Sequence, residues 1–224
     1  LNPKMVKEQE KTETVKNPVS AYSDKAFWVF FIAMMIFGFV FLQYFSTIPL
    51  YYRDAHFLSE TKIGLLMAMN GLVIAILEMP LVKYLEGTKL TKTALMIYGA
   101  ILTALSLLVL NLSSWSGILI IGMSLMTIGE MITFPFSNTF SMQRAKRGHQ
   151  GQYMAMYSVS FSIAHIFGHK LGADLIDSYG FEFTWYMFTG LMFVGVGFLY
   201  WLKLILKKEN TNESKSSHLA LNKS

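Results

Sequence analysis

The chain has no cysteine. Disulfides, thiolate metal sites and cysteine nucleophiles are therefore excluded. Charge is also scarce: Asp, Glu, Lys and Arg make up 15% of the 224 residues, where soluble domains carry nearer a quarter. The net charge of +5 invites a nucleic-acid reading, but the basic residues sit at helix ends and in tails and form no patch of their own, so no nucleic-acid partner is expected. No cleavable signal peptide is visible, because the apolar stretch that begins near Ala26 is too long for one. No histidine-carboxylate motif of the zinc-protease type occurs, and no metal site is expected.

What is abundant is apolar. Hydrophobic residues reach 53%, with 15 Met and 18 Phe. A bilayer core takes roughly 20 apolar residues in a helix, and six segments qualify: about 27–48, 62–83, 93–112, 117–141, 151–174 and 184–206. Lipid offers no hydrogen-bond partners, so each must be helical. The expected fold is all-α, a polytopic membrane protein of six transmembrane helices with the bilayer as its surroundings. Pro49 should close the first span, Gly87 follows the second, Ser113 and Ser114 join the third and fourth, and Gly148 and Gly151 bracket the next turn.

Orientation follows from the basic residues. Sixteen of the nineteen fall on one side: Lys4, Lys7, Lys11, Lys16, Lys25, then Lys83, Lys89, Lys92, then Arg144, Lys146, Arg147, then Lys203, Lys207, Lys208, Lys215 and Lys223. The other side holds Arg53, Lys62 and Lys170. The first group should be cytoplasmic, with both termini, in a multi-pass protein of the cell membrane. The four Trp fall near span ends, as an aromatic belt requires. The organisation expected is a polar linker over 1–25, a six-helix block over 26–206 and a disordered tail over 207–224.

Polar residues inside the spans are the candidate site. An ionised side chain deep in a membrane helix costs roughly 2.5–3.5 kcal/mol on insertion scales. Glu130 sits mid-span in the fourth helix, and Thr127, Glu130, Ser137 and Ser141 recur along one face with Asn138 beside them. Such a stripe suits the wall of a water-filled cavity, and Pro135 removes one backbone donor nearby. Burial favours the neutral form of a carboxyl, so Glu130 is expected to carry a proton or bind a cation. The competing reading is a structural carboxyl bonded to a neighbouring helix. Glu78, in the second span, is a weaker proton-coupling candidate, because it lies five residues before Lys83 and can snorkel or pair with Lys83 or Arg144. Asn70 lies two turns outward on the same face. Gln43, with Thr47 and Tyr51 at steps of four, gives the first span a polar stripe. A substrate-facing surface and a helix–helix hydrogen bond both explain it.

The fifth span carries Ser158, Ser162, His165 and His169 at helical steps, with Gly168 and Gly172 forming a GxxxG step for close helix approach. Two imidazoles alone are a weak metal signal, and a helix-packing or cavity-lining role is preferred. The third and sixth spans hold no charge in their cores. That partition suggests four helices around a pathway and two outside it.

The segment Pro80-Leu81-Val82-Lys83-Tyr84-Leu85-Glu86-Gly87-Thr88-Lys89 resembles a second copy of the cytoplasmic loop motif of the major facilitator superfamily, with Glu86 in the acid position, then Gly87, then Lys89 in the basic one. Gly129-Glu130 with Pro135 resembles the tenth helix of proton-coupled carriers of that family. Gly168-His169-Lys170-Leu171-Gly172, followed by Leu175, Asp177, Gly180 and Trp185, resembles the end of its eleventh helix, with His169 where a proline is more often found. The resemblance covers residues 20 to 206. It implies the C-terminal six helices of a twelve-helix fold, built as a 3+3 inverted repeat, with an N-terminal six-helix half as partner and residues before the first span as the central loop. It also implies that spans one and four line a cavity, two and five meet the other half, and three and six face lipid.

The function expected is secondary active transport of a small-molecule substrate by alternating access, coupled to protons as in drug/proton antiporters, with no cofactor beyond the proton. A standalone six-helix scaffold or a homodimeric small transporter is the alternative. An intramembrane enzyme is remote: Ser124 in Gly122-Met123-Ser124 lacks the following glycine of a serine protease site.

Overall fold

A computed structural model describes residues 19–112, 115–145 and 149–221, the last nine of these by backbone alone. Among the described residues there are helices and turns and no strand. The leader before Val19, the Ser113–Ser114 joint, Lys146, Arg147, Gly148 and Lys223 lie outside them.

A 3-10 turn, Ala21–Ser23, leads into α1 (Lys25–Phe41). Asp24 caps α1, its carboxylate accepting from Phe27 N at 3.1 Å, which satisfies one of the free amides of the first turn. The first span does not stop at Pro49. After α1 the chain passes through α2 (Gln43–Ser46) and α3 (Ile48–Asp54), and Pro49 occupies the first turn of α3, where a missing N–H leaves no bond broken. Then come α4 (Glu60–Glu86), α5 (Lys92–Leu110), capped by Thr91 through Ala94 N, and α6 (Gly117–Ala145), which runs through Pro135.

The remaining stretch, α7 (Gln150–Leu221), is broken at Gly180, whose φ of 79° and ψ of 176° are non-helical. From Gln150 to Asn212 alone it runs 63 residues, and a straight helix of that length would reach roughly 95 Å, three times a bilayer core. The break divides it into arms over 150–179 and 181–221. Gly180 is needed at the break because a side chain is rarely tolerated at that φ. Gly151, expected in a turn, lies inside the first arm. A disordered tail from Lys207 is corrected as well: the second arm continues as helix to Leu221. Glu209 within it is held by Arg144, an anchor invisible to a reading of local composition.

Burial within the bundle does not follow the charge of each helix. α5 carries no charge in its core, yet it buries Thr93, Thr103 and Ser106 and crosses α6 at close range. A Cβ on Gly99 would stand 2.8 Å from Gly129 O, and one on Gly129 would stand 2.8 Å from Gly99 O. The two helices therefore meet backbone to backbone at reciprocal glycines, the small-residue packing that membranes favour. The second arm of α7 likewise buries Trp185, Phe188, Met192, Leu199 and Leu202. The least covered helix is α4, in which Asn70 alone is buried among its described residues. One side of α4, including Leu65, Leu72, Ile76 and Met79, is exposed, while Ile63, Leu66, Met67, Leu81 and Leu85 on the other pack half-buried against the core.

Candidate transport site and its neighbours

Asn70 is the buried polar residue of α4, and it faces α6 at Thr127, one turn from Glu130. Thr127 Oγ1 lies 2.7 Å from Asn70 Oδ1 and 2.7 Å from Met123 O. With its oxygen engaged by Thr127, Asn70 leaves its amide on the side of the Glu130 carboxyl. Glu130 is 6% exposed, and its Oε2 is buried without a hydrogen-bond partner among the described residues. Glu78, one helix away, acts on it electrostatically. From the far side, Tyr44 of α2 comes within electrostatic range of Glu130 and donates to Gly122 O at 3.1 Å. The result is a carboxyl beside the Thr127–Asn70 pair, with no cation near it among the described residues.

Below this cluster lies a groove of about 570 Å³ between α4, α6 and the first arm of α7. Glu78, Phe134, Asn138, Met154, Tyr157 and Ser158 line it. Asn138 is exposed into it, while Ser137 turns away and pairs with Tyr157 Oη at 2.9 Å. Thr127, Asn70, Glu130, Glu78 and Asn138 are thus brought to one side of α6.

Gln43 and Thr47 are not part of this assembly. Gln43 is fully buried; its amide donates to Phe39 O at 3.0 Å and to Gly168 O at 3.1 Å. Its Oε1 accepts from Thr47 Oγ1 at 3.0 Å. A Cβ on Gly172 would collide with that same oxygen. The polar stripe of the first span is therefore the seam against the GxxxG step of α7, and not a substrate-facing wall. Periodicity shows that residues share a face but not what covers it, and here two glycines do. Gly168 and Gly172 sit in this seam as helix-interface residues. Ser162 and His165 are exposed, and His169, half-buried, stacks edge-on against His165 at 4.7 Å. Glu86, Gly87 and Lys89 are exposed at the end of α4 and in the following turn.

A second buried acid, missed in the sequence, lies at the opposite end of α6. Arg144 forks onto Asp24, with Nε to Oδ2 at 2.6 Å and Nη2 to Oδ1 at 2.8 Å. It forks again onto Glu209, with Nη1 to Oε2 at 2.7 Å and Nη2 to Oε1 at 2.9 Å. Tyr153 Oη adds a bond to Asp24 Oδ2 at 3.0 Å. Arg144 does not pair with Glu78, because its fork is already filled twice. Burial pushes the Asp24 carboxyl up, but Arg144, the Phe27 amide and the Tyr153 hydroxyl outweigh it and hold Asp24 below its usual range. The legible signal was an Asp immediately before an apolar run.

Comparison with known proteins gives this bundle its family. The family model for the Major Facilitator Superfamily matches residues 2–169. A Na(+), Li(+), K(+)/H(+) antiporter of Planococcus maritimus is 26% identical over 191 residues, covering 79% of this chain and 44% of that protein. An uncharacterized MFS-type transporter, YttB, of Bacillus subtilis (strain 168) is 26% identical over 187 residues, covering 81% of this chain and 46% of that protein. No solved structure gives a significant match. The chain spans about half the length of the curated relatives it matches. With its long apolar helices, its reciprocal glycine crossing and a family match over most of its length, the chain belongs to the major facilitator superfamily of membrane transporters.

Proposed function

We propose that this chain is the C-terminal half of a proton-coupled secondary transporter, an antiporter that moves a small solute by alternating access. The observation that carries the reading is Glu130, buried mid-span with one carboxyl oxygen unpartnered. A carboxylate there would be an uncompensated charge, and protonation removes it. The proton sits on Oε2, with the Asn70 amide on the side of the carboxyl. Loss of the proton is favoured only in a conformation that admits water or a cationic group, and that differential affinity is what lets a proton bias a conformational equilibrium. Glu78 lines the groove beneath Glu130, and we assign it the coupling of groove occupancy to the proton on Glu130.

The groove lining holds one carboxylate and no basic residue among the described residues, which suits a neutral or cationic solute. Antiport is the activity named for the Planococcus maritimus relative, and it agrees with a carboxyl that exchanges a proton for a solute. The bare surface of α4 and the exposed side of the first arm of α7 are the surfaces we assign to an N-terminal six-helix half. The charge asymmetry of this chain supports a cytoplasmic position for both of its ends.

The test is transport in proteoliposomes bearing a pH gradient, using the full-length carrier. Glu130→Gln should abolish gradient-driven flux by at least about 100-fold while expression and melting temperature stay close to wild type. Gradient-driven flux at the wild-type rate would overturn the reading.

A further inference from the structure

The second arm of α7 ends in a feature the transport site does not use. Counting from Phe181, Trp201 lies 20 residues on, about 30 Å along a helix, which matches the thickness of a bilayer core. Trp201 therefore falls at the hydrocarbon boundary, and the residues after it enter the headgroup layer. An open recess of about 550 Å³ runs along this one arm, lined by Trp201, Leu204, Lys207, Lys208 and Thr211. Trp201, Leu204, Lys208 and Thr211 follow each other at helical steps along one face, with Lys207 on its flank. The face grades from an aromatic ring through an aliphatic side chain to two ammonium groups, in the order in which a phospholipid presents acyl chain, glycerol and phosphate.

The other side of the same arm is fixed. Leu199 and Leu202 are buried in the bundle, and Glu209 is held by both terminal nitrogens of Arg144. That clamp sets the rotation of the helix beyond the membrane. Lys207 and Lys208 are turned outward, both exposed, while their acidic neighbour Glu209 is withdrawn from the face by its own ion pair. The helix can thus display two cations at headgroup height without an adjacent acid to neutralise them.

We propose that this face holds the headgroup of an anionic phospholipid, with the phosphate on Lys207 and Lys208 and with Trp201 and Leu204 against the upper acyl chain; the Thr211 hydroxyl donates to Lys207 O at 2.9 Å and takes no part. The occupant is a lipid because the face joins an apolar end, Trp201 and Leu204, to a basic one, Lys207 and Lys208, and a free phosphate would leave the apolar end bare. Juxtamembrane basic side chains bind anionic surfaces additively, so removing both should reduce the preference roughly 10- to 30-fold.

The experiment is competition between phosphatidylglycerol and phosphatidylcholine for the intact purified protein, read by native mass spectrometry as retained lipid. The Lys207→Gln/Lys208→Gln double variant should retain one fewer phosphatidylglycerol, and Trp201→Ala should weaken retention in the same direction. The charge-matched control Lys62→Gln/Lys170→Gln, on the opposite side of the block, should retain the wild-type number. Inorganic phosphate at millimolar concentration should not displace the lipid. Unchanged retention in the Lys207/Lys208 variant, an equal loss in the control, or displacement by phosphate alone would each overturn the proposal.

Discussion

Two buried acids at different heights on the same bundle have opposite surroundings. Asp24 is enclosed by a guanidinium, a backbone amide and a phenol, and every interaction favours its charge. Among the described residues, Glu130 lies beside the Thr127–Asn70 pair with no cation near it, and has an oxygen with no partner. The first arrangement is a permanent ion, useful for joining elements. The Asp24–Arg144–Glu209 chain ties the start of the first span, the end of α6 and the extension of α7. The second is a site whose charge can come and go. The difference teaches that burial alone does not mark a functional carboxyl in a membrane; the partners decide.

Breaking the permanent ion should give the largest loss of stability. Arg144→Met strands the buried Asp24 carboxylate and frees Glu209, and it should cost about 3–5 kcal/mol, seen as a large drop in melting temperature in detergent. Acidification probes the same clamp less drastically. Because Asp24 is held below its usual range, its contribution is complete above the unfolded value of about 3.9 and is lost as pH falls through the lower folded value. The melting temperature should therefore drop below about pH 4, and Asp24→Asn should flatten that part of the profile. The smallest effect belongs to Glu209→Gln, at a partly exposed position, which should cost about 1 kcal/mol and should unwind the helix beyond Leu206, detectable as faster amide exchange there. An Arg144→Met protein as stable as wild type would break the contrast between the two acids.

Much of the architecture was legible in the sequence, because bilayer thickness sets helix length and hydropathy reports it directly. Glu130, Asn70 and Thr127 were legible for the same reason: polar atoms are conspicuous where lipid excludes them. Gln43 and Thr47 were misassigned to a cavity because a stripe defines a face and not its neighbour, and the neighbour came from glycines 125 and more residues away. The packed position of α5 was missed because it rests on Gly99 and Thr103 facing Gly129 and Thr133. That GxxxT repeat is present in both segments, but it carries no charge to draw the eye. The Asp24–Arg144–Glu209 chain was missed because each member, taken alone, reads as an ordinary flanking charge.

The central claim is that Glu130 is the group whose proton is exchanged for solute. Its most direct test is to add transported solute to the full-length carrier in weakly buffered detergent and follow bulk pH. Wild type should release close to one proton per carrier on binding, and Glu130→Gln should release none while still folding. An equal release from the Glu130→Gln protein would contradict the account.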